Sequence, residues 1–247
     1  MKIFAHRGSS LIWPENTLSA FDQAHACDAA GFETDLRLSH DGEIILSHDD
    51  ELSRVGVKGK RISALKAADI CQLTIFSANG RCKDKLITLE NLLTRYPDKD
   101  YIFDCKIANP QLMEKLKSLL ETLHFHDKIW FLSWSRSADE CVRDFFPAAP
   151  FFPRENRTRA WGLLSLIGLG RLAEPTNTIL ALPAYHAGLP LFDTKQIRSM
   201  EERGKQFMGY LVNSRRDFIR CVESGVRQVL TDRPDLISGY LRERPAG

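Results

Sequence analysis

The sequence has no long hydrophobic run, and this absence excludes membrane-spanning proteins. Its longest apolar stretches, such as residues 163–169, fall far short of the roughly 20 apolar residues that a transmembrane helix needs. The first residues also contain no apolar run of signal-peptide length. We therefore expect no transmembrane segment and no export signal.

Cysteine pairs with metal spacing and a surplus of one charge sign are missing as well. The six cysteines never form a C-x-x-C pair and lie scattered along 247 residues, which indicates neither a zinc site nor a disulfide framework. This cysteine usage favours a reduced, cytoplasmic setting. The 34 Lys and Arg nearly balance the 32 Asp and Glu, so the net charge of +2 predicts no nucleic-acid partner.

What remains is the composition of an ordinary folded protein, in which short apolar runs alternate with helical patterns. Hydrophobic residues make up 43% of the chain and charged residues 27%. The apolar runs predict strands at residues 2–6, 32–38, 101–106, 128–133, 149–152, 178–183, 206–212 and 228–231. The fifth run is the weakest, because prolines flank it closely. Helical patterns lie near residues 17–29, 110–123, 136–145, 161–172, 194–203, 215–223 and 234–242.

Eight such units predict an α/β protein that folds as a (β/α)8 TIM barrel. A doubly wound sheet usually has fewer strands and gives no reason for eight. About 60 residues separate the second strand from the third, and they contain an Asp41-Gly42 turn, an extra strand near 43–48 and helical patches near 63–70 and 88–95. We interpret residues 1–247 as a single barrel domain with a loop insertion at about residues 49–95.

Acidic residues end the second and third predicted strands, where barrels of this kind place their functional groups. Glu33 and Asp35 lie two positions apart, so both side chains point to the same face. Asp104 and Lys106 repeat this alternation on the third strand. We therefore expect the three carboxylates to converge.

Two explanations compete for these acids. They could be structural ion-pair members balanced by Arg7, Arg37 and Lys106. However, a few cations rarely hold three buried carboxylates in one compact site without further hydrogen bonds. A divalent cation resolves the conflict, and Mg²⁺ or Ca²⁺ suits this ligand set because no metal-spaced His or Cys accompanies it.

Two histidines lie beside these acids in the sequence pattern. His6 ends the first strand and His48 follows the extra strand. An imidazole can accept or donate a proton near neutral pH, so the pair suits acid–base exchange. The remaining histidines are expected at the surface, in turns or in packing positions, and among them His186, just past the sixth strand, falls where a pocket wall would lie.

Short motifs with fixed spacing extend along nearly the whole chain. They are A-H-R-G at residues 5–8, P-E-N-T-L at 14–18, E-T-D at 33–35, D-G at 41–42, H-D at 48–49, F-D-C-K at 103–106 and T-D-R-P-D at 231–235. Each motif alone is common. Together, in this order, they resemble the glycerophosphodiester phosphodiesterase family.

The resemblance implies a barrel enzyme that hydrolyses glycerophosphodiesters to glycerol 3-phosphate and an alcohol. The roles it implies are metal ligation by Glu33, Asp35 and Asp104, phosphate binding by Arg7 and Lys106, and acid–base catalysis by His6 and His48. It also implies that a neighbouring hydroxyl of the substrate attacks phosphorus and that a cyclic phosphate forms. The residue types agree, because a phosphodiester needs cations around its oxygens and the leaving alkoxide needs a proton.

Three positions depart from the family's usual pattern, and two other functions stay open. Asp104 stands where many members have Glu, Tyr210 where Trp is frequent, and Asp50 where Pro is frequent. A lysophospholipase D would use residues 161–169 as an apolar rim that meets lipid, whereas a core-facing barrel helix explains them equally well. A barrel that binds phosphodiesters without cleaving them is the third possibility. The motifs favour a small-molecule substrate and indicate no oligomeric state.

Overall fold

The computed structural model describes residues 1–125, 129–153, 155–166 and 179–243. Its strands are β1 (Lys2–His6), β2 (Gly31–Leu38), β3 (Ile44–Leu46), β4 (Thr74–Phe76), β5 (Lys83–Lys85), β6 (Asp100–Cys105), β7 (Ile129–Ser133), β8 (Ile179–Leu182), β9 (Tyr185–His186), β10 (Leu189–Pro190), β11 (Gln206–Gly209) and β12 (Gln228–Thr231). Its α-helices are α1 (Leu18–Ala26), α2 (Ala67–Ile70), α3 (Leu89–Arg95), α4 (Pro110–Thr122), α5 (Arg136–Phe145), α6 (Glu155–Leu166), α7 (Thr194–Glu202), α8 (Arg215–Glu223) and α9 (Pro234–Arg242).

The main sheet consists of parallel strands joined by helices. Its order is β7-β6-β2-β1-β12-β11-β8, and every neighbouring pair along this order is parallel. Strand β12 pairs with β1, so the last βα unit returns to the first and the sheet curls. Strand β3 adds an antiparallel partner to β2. This is the topology expected of a TIM-like barrel.

The predicted fifth strand, at residues 149–152, is wrong as a regular strand. Phe151 forms a single parallel bridge with Phe131. The Phe131 N–H donates to the Pro150 carbonyl at 3.0 Å, and the Phe152 N–H donates to the Phe131 carbonyl at 2.9 Å. The ladder stops there because Pro150 and Pro153 have no N–H to continue it. The segment nevertheless lies beside β7, where the barrel order requires it.

Helix boundaries follow from caps that the sequence supplies. Thr17 caps α1 and Ser214 caps α8 by accepting a backbone N–H through the side-chain oxygen. Asn109 caps α4, whose first residue, Pro110, needs no hydrogen-bond partner for its nitrogen. The helix expected near 161–172 begins earlier, at Glu155, and its expected part beyond residue 166 lies outside the described residues.

Two apolar layers pack on the two faces of the sheet. The larger one lies between the sheet and the surrounding helices and includes Phe32, Phe103 and Cys105. The smaller one fills the barrel interior and consists of Phe4, Ile102, Phe152, Ile179, Met208 and Leu230. Because side chains alternate along a strand, Cys105 faces the helices while Asp104 faces the interior. Cys105 accordingly packs in the larger, outer layer.

The insertion has a small apolar cluster of its own. Eight buried residues form it: Ile45, Leu52, Val55, Ile62, Ala67, Ile70, Ile75 and Leu86. Two 3₁₀ turns, Leu52–Val55 and Ile62–Ala64, and the hairpin β4–β5 lie in this segment. The sequence did not predict the hairpin. Among the described residues, no helix is long and apolar enough to cross a bilayer.

Gly31, the first residue of β2, occupies a place where a larger side chain does not fit. A Cβ atom there would lie 2.5 Å from Phe4 Cε1 and 2.6 Å from the Asp100 carbonyl oxygen. Because overpacking a core typically costs 1–3 kcal/mol, we expect Gly31→Ala to lower the free energy of unfolding by about 2 kcal/mol. Urea denaturation measures this change.

Gly239 in α9 is the matched control for this substitution. A Cβ atom there meets nothing within 4 Å. Since Ala is favoured over Gly in a helix by about 1 kcal/mol, Gly239→Ala should leave the stability unchanged or raise it. Equal effects of the two substitutions would contradict the close packing at Gly31.

Candidate active site

Strand register brings the expected site residues together at the carboxyl end of the sheet. His6 on β1 lies opposite Glu33 on β2, and Asp35 on β2 lies opposite Asp104 on β6. Lys106 directly follows the end of β6. Residues in register on neighbouring parallel strands point to the same face, so these side chains share the mouth of the barrel.

The three acids form one compact, buried cluster. Glu33, Asp35 and Asp104 each offer a carboxylate oxygen, and these oxygens lie within 4.8 Å of one another. All three side chains are almost fully excluded from solvent. Glu33 Oε2 and Asp35 Oδ1 accept no hydrogen bond of good geometry, although each has an ion-pair contact, with His6 and Lys106 respectively. Buried carboxylate oxygens without a well-aligned hydrogen bond, gathered in an all-oxygen cluster, fit a hard divalent cation.

Two cations compensate the central acid of this cluster. Arg7 Nε lies 2.9 Å from Asp35 Oδ2, and Lys106 Nζ lies 3.0 Å from Asp35 Oδ1. Lys106 also donates to Asp104. Burial alone would raise the pKa of Asp35, but Arg7 and Lys106 outweigh it and lower this pKa to about 2. Asp35 is therefore an ionised carboxylate held between two cations.

Glu33 and Asp104 have the opposite electrostatic environment. Burial, together with the charge of Asp35, raises the pKa of Glu33 to about 8 and that of Asp104 to about 6. The ion pair recorded for Glu33 is with His6, whose Nε2 lies 3.6 Å from Glu33 Oε2. Arg37, the third cation considered for the acids, instead donates to the His48 carbonyl at 2.5 and 3.2 Å. The ion pairs of the described residues therefore do not balance the cluster.

Two polar residues that sequence reasoning missed hold the acids in place. Asn16 donates to Asp35 Oδ2 at 3.0 Å and accepts the Thr34 hydroxyl at 2.7 Å. The indole nitrogen of Trp134 donates to both oxygens of Asp104 at 2.9 Å. Asn16 belongs to the P-E-N-T-L motif, so its position was visible in the sequence. Trp134 follows the end of β7, the next strand in the sheet order, and that adjacency was the available signal.

His6 is fixed by a largely buried acid that directly follows β12. The Nδ1 atom of His6 lies 2.6 Å from Asp232 Oδ1. Burial lowers the pKa of His6, but the charge of Glu33 and the hydrogen bond to Asp232 raise it by more. Sequence reasoning gave Asp232 no role, although β12 adjoins β1 in a closed barrel and Asp232 alternates with Leu230 toward the interior.

His48 is held by an exposed chain of ion pairs at the start of the insertion. Its Nδ1 lies 2.8 Å from Asp49 Oδ1. Arg54 donates to Asp49 Oδ2 at 2.5 Å and to both oxygens of Glu15 at 2.7 Å. Burial and the charge of Arg7 lower the pKa of His48. The two histidines thus lie in different electrostatic environments.

An apolar cavity of about 50 Å³ adjoins the acid cluster inside the barrel. Its lining is Ile102, Leu132, Ser133, Trp134, Phe152, Pro153, Thr158, Ala181, Leu182, Pro183, Met208, Tyr210 and Leu230. Tyr210 therefore forms part of the pocket wall. His186 lies exposed in the β9–β10 hairpin, which agrees with the surface or turn position expected of it, and it is absent from this lining.

Comparison with solved structures supports the architecture. A glycerophosphoryl diester phosphodiesterase domain from Mycobacterium tuberculosis superposes with a TM-score of 0.83 at 17% identity, covering 97% of this chain and 98% of that one. An Oleispira antarctica phosphodiesterase, solved in complex with the product sn-glycerol-3-phosphate, gives a TM-score of 0.73 at 21% identity, covering 98% and 97%. The expected fold class, a TIM-like α/β barrel, is confirmed.

Sequence comparison identifies the family. The glycerophosphodiester phosphodiesterase of Caldanaerobacter subterraneus subsp. tengcongensis is 25% identical over 253 residues, which span 98% of each chain. Lysophospholipase D GDPD3 of Mus musculus is 26% identical over 273 residues, which span 98% of this chain and 82% of that protein. The sequence profile of the Glycerophosphoryl diester phosphodiesterase family matches residues 6–236, and the chain belongs to this family. It is an enzyme, a phosphoric diester hydrolase, as the resemblance implied.

The raised pKa of Glu33 predicts how the stability of the metal-free protein depends on pH. Its pKa is about 8 in the folded state against an ordinary value of 4.5. The folded state therefore binds the proton more tightly, so this contribution is complete below about pH 4.5 and is lost as the pH rises through about 8. In the presence of a chelator, the free energy of unfolding should fall between about pH 4.5 and pH 8. We expect this fall to be larger for the wild type than for Glu33→Gln by at least about 2 kcal/mol.

Denaturant unfolding at a series of pH values measures this difference. Glu43→Gln is the matched control, because Glu43 pairs with Lys115 and is not a member of the acid cluster. Parallel curves for the wild type and Glu33→Gln would contradict the raised pKa of Glu33.

Proposed function

We propose that the protein hydrolyses glycerophosphodiesters to glycerol 3-phosphate and an alcohol. The proposal depends above all on one observation, the buried cluster of Glu33, Asp35 and Asp104 that Arg7 and Lys106 do not fully balance. A complete structural ion-pair network would give each buried carboxylate oxygen a well-aligned hydrogen bond. Glu33 Oε2 and Asp35 Oδ1 have none and keep only ion-pair contacts, with His6 at 3.6 Å and Lys106 at 3.0 Å. In this family, a site of this composition suits an anionic phosphodiester and a cation.

Glu33, Asp35 and Asp104 would hold the divalent cation. When bound, Mg²⁺ or Ca²⁺ would supply Lewis-acid stabilisation of the phosphoryl oxygens, and both ions suit an all-oxygen ligand set. The shorter arm of Asp104, in place of the family's frequent Glu, is compensated in part by the indole N–H of Trp134, which fixes both carboxylate oxygens.

Arg7 and Lys106 would bind the phosphate. Both side chains are largely buried, so their charges act through little intervening water. Arg7 presents a planar fork of donors, whereas Lys106 presents a single compact charge. Together they would stabilise the negative charge that grows on the non-bridging oxygens during attack.

His6 and His48 would move the protons. One imidazole accepts the proton of the substrate's 2-hydroxyl as that oxygen bonds to phosphorus, and the other donates a proton to the alcohol oxygen as its bond to phosphorus breaks. Water then opens the resulting cyclic phosphate with the two roles reversed, and glycerol 3-phosphate leaves. No cysteine or serine is needed as nucleophile: Cys105 packs in the outer layer, and the Ser10 hydroxyl donates to Asp232.

A lysophospholipase D activity is the second candidate, favoured by apolar side chains at the mouth of the barrel. Ile107, Trp134 and Leu189 follow the ends of β6, β7 and β8 and are 50%, 46% and 56% exposed. Exposed apolar groups around a site can contact a lipid surface. Of the predicted rim at residues 161–169, Trp161 is buried in the core and Leu163 is exposed, while residues 167–169 lie outside the described residues.

Release of glycerol 3-phosphate from a small glycerophosphodiester tests both the reaction and its metal requirement. We expect turnover of glycerophosphocholine in the presence of Mg²⁺ or Ca²⁺ and a loss of turnover by at least about 10²-fold after chelation. The reason is that the cation stabilises the negative charge of the transition state by several kcal/mol. Asp104→Asn should lose cation binding in calorimetry, whereas Glu43→Gln should retain it. Full turnover by exhaustively metal-free protein would contradict the assignment of a metal site.

The same assay separates the alternatives. Lysophosphatidylcholine is offered beside glycerophosphocholine, with binding to phosphatidylcholine vesicles measured by sedimentation. Faster release of choline from the lipid, with vesicle binding, would favour the lysophospholipase D. Tight binding of both compounds without any product would instead leave a barrel that only binds phosphodiesters.

Attack by the substrate's own hydroxyl makes that hydroxyl obligatory. An analogue of glycerophosphocholine with hydrogen in place of the 2-hydroxyl should inhibit competitively but remain uncleaved, since intramolecular placement of the nucleophile is worth roughly 7 to 11 kcal/mol of the barrier. Phosphorus NMR of the reaction follows both the analogue and the cyclic intermediate. Turnover of the analogue at a rate near that of the parent would show that water or a histidine attacks phosphorus directly.

A further inference from the structure

We propose that Asp232 is a positioning residue, which fixes the tautomer and the orientation of His6 so that Nε2 faces the acid cluster. The inference rests on the proposed function only for its kinetic consequence. Its structural consequence, the position of the proton on the His6 ring, holds whatever the substrate is.

The geometry between Asp232 and His6 leaves one arrangement of the proton. An ionised carboxylate can only accept, so the 2.6 Å contact between His6 Nδ1 and Asp232 Oδ1 requires that Nδ1 carries the hydrogen. The other ring nitrogen, Nε2, lies 3.6 Å from Glu33 Oε2 and therefore faces the site. In the neutral ring, Nε2 then holds the free lone pair.

Asp232 is itself held on both oxygens. The Ser10 hydroxyl donates to Oδ1 at 2.9 Å, and the Asn213 side-chain amide donates to Oδ2 at 2.6 Å. These groups come from the loop after β1 and the loop after β11, the segments on either side of β12 in the sheet. The carboxylate is therefore clamped between neighbouring strand ends and cannot rotate freely.

The orientation of Asn213 is fixed in turn by a backbone donor. Its side-chain oxygen accepts the Asp232 N–H at 2.9 Å. The amide nitrogen of Asn213 must consequently point at Asp232 Oδ2. An acceptor is thus required on that side of residue 232, whichever side chain stands there.

This clamp decides what an isosteric amide would do. In Asp232→Asn, the amide oxygen must face Asn213, which turns the amide nitrogen toward His6. A donor then confronts Nδ1, so His6 must give up the Nδ1 hydrogen and carry its proton on Nε2. Nε2 would then present a hydrogen to the site where the reaction needs a lone pair. Proton transfer would fail, although the side chain at position 232 keeps its size.

His48 has a looser restraint of the same kind. Its partner Asp49 is 38% exposed and shares its charge with Arg54, whereas Asp232 is 17% exposed and, within the described part of the chain, has the neutral donors Ser10 and Asn213 besides His6. The backbone at Asp232 is also secured without the carboxylate, because the Thr231 hydroxyl donates to the Val212 carbonyl at 2.7 Å. The Asp232 side chain therefore serves His6 rather than the fold.

The test combines NMR with kinetics on the full-length protein. Long-range nitrogen–proton spectra of protein labelled at histidine show which ring nitrogen of His6 carries hydrogen, with His6→Gln providing the assignment. Recording from about pH 6 to 10 ensures that the neutral ring is observed. We expect Nδ1–H in the wild type and Nε2–H in Asp232→Asn, with kcat for glycerophosphocholine lowered by at least about 10²-fold and KM changed by less than about threefold.

Asp235→Asn is the matched control. Asp235 lies three positions after Asp232 and pairs with Arg233, so the substitution removes a neighbouring carboxylate. It should leave both the His6 spectrum and kcat unchanged. Asp232→Glu retains the carboxylate and should keep hydrogen on Nδ1 with part of the activity, which also covers the case in which Asp232→Asn does not fold.

An unchanged tautomer in Asp232→Asn, or a kcat equal to that of Asp235→Asn, would overturn the proposal. If the wild type turned over no glycerophosphodiester, the proposed function would fail, while the spectra would still decide whether Asp232 sets the tautomer. The two failures are therefore distinguishable.

Discussion

Mutual repulsion of buried carboxylates is the constraint that determines the arrangement of the site at the carboxyl end of the sheet. Glu33, Asp35 and Asp104 converge because strand register places them at neighbouring strand ends. Such a cluster can be buried only if cations and donors reach it, and Arg7 and Lys106 do so from the residues directly after β1 and β6. The unequal compensation leaves one acid firmly ionised and two with raised pKa values.

This constraint also explains an unfavourable backbone conformation. Arg7 adopts a left-handed conformation with φ 57°, which L-residues rarely occupy. Its N–H donates to the Glu33 carbonyl at 2.9 Å, and its guanidinium then contacts Asp35. Gly8 follows with φ 81°, and a Cβ there would lie 2.6 Å from the Ala20 backbone. The A-H-R-G motif is therefore a tight turn that places an imidazole and a guanidinium side by side over the acids.

The sequence predicted secondary structure correctly wherever a short-range pattern determines it. Strands such as β1 and β12 and helices such as α5 have the bounds that alternation and capping predicted. It was insufficient where several elements meet. The proline-limited segment around Phe151 forms a bridge rather than a strand, because hydrogen-bonding capacity and not hydrophobicity limits it. The partners of the site residues, Asp232 and Trp134, follow strands that are distant in sequence from those residues, so only the folded sheet shows that they are neighbours.

The ion pairs of Asp35 and those of Arg54 respond differently to dissolved salt. Asp35 and its cations are buried, and salt screens such pairs little. The ion pair that ties the insertion to the barrel, from Arg54 to Glu15, involves an arginine that is 47% exposed. Dissolved ions therefore weaken the Arg54–Glu15 pair and spare the pairs of Asp35. Ionic strength thus acts selectively, because it loosens the attachment of the insertion that begins directly after His48 while the acid cluster stays intact.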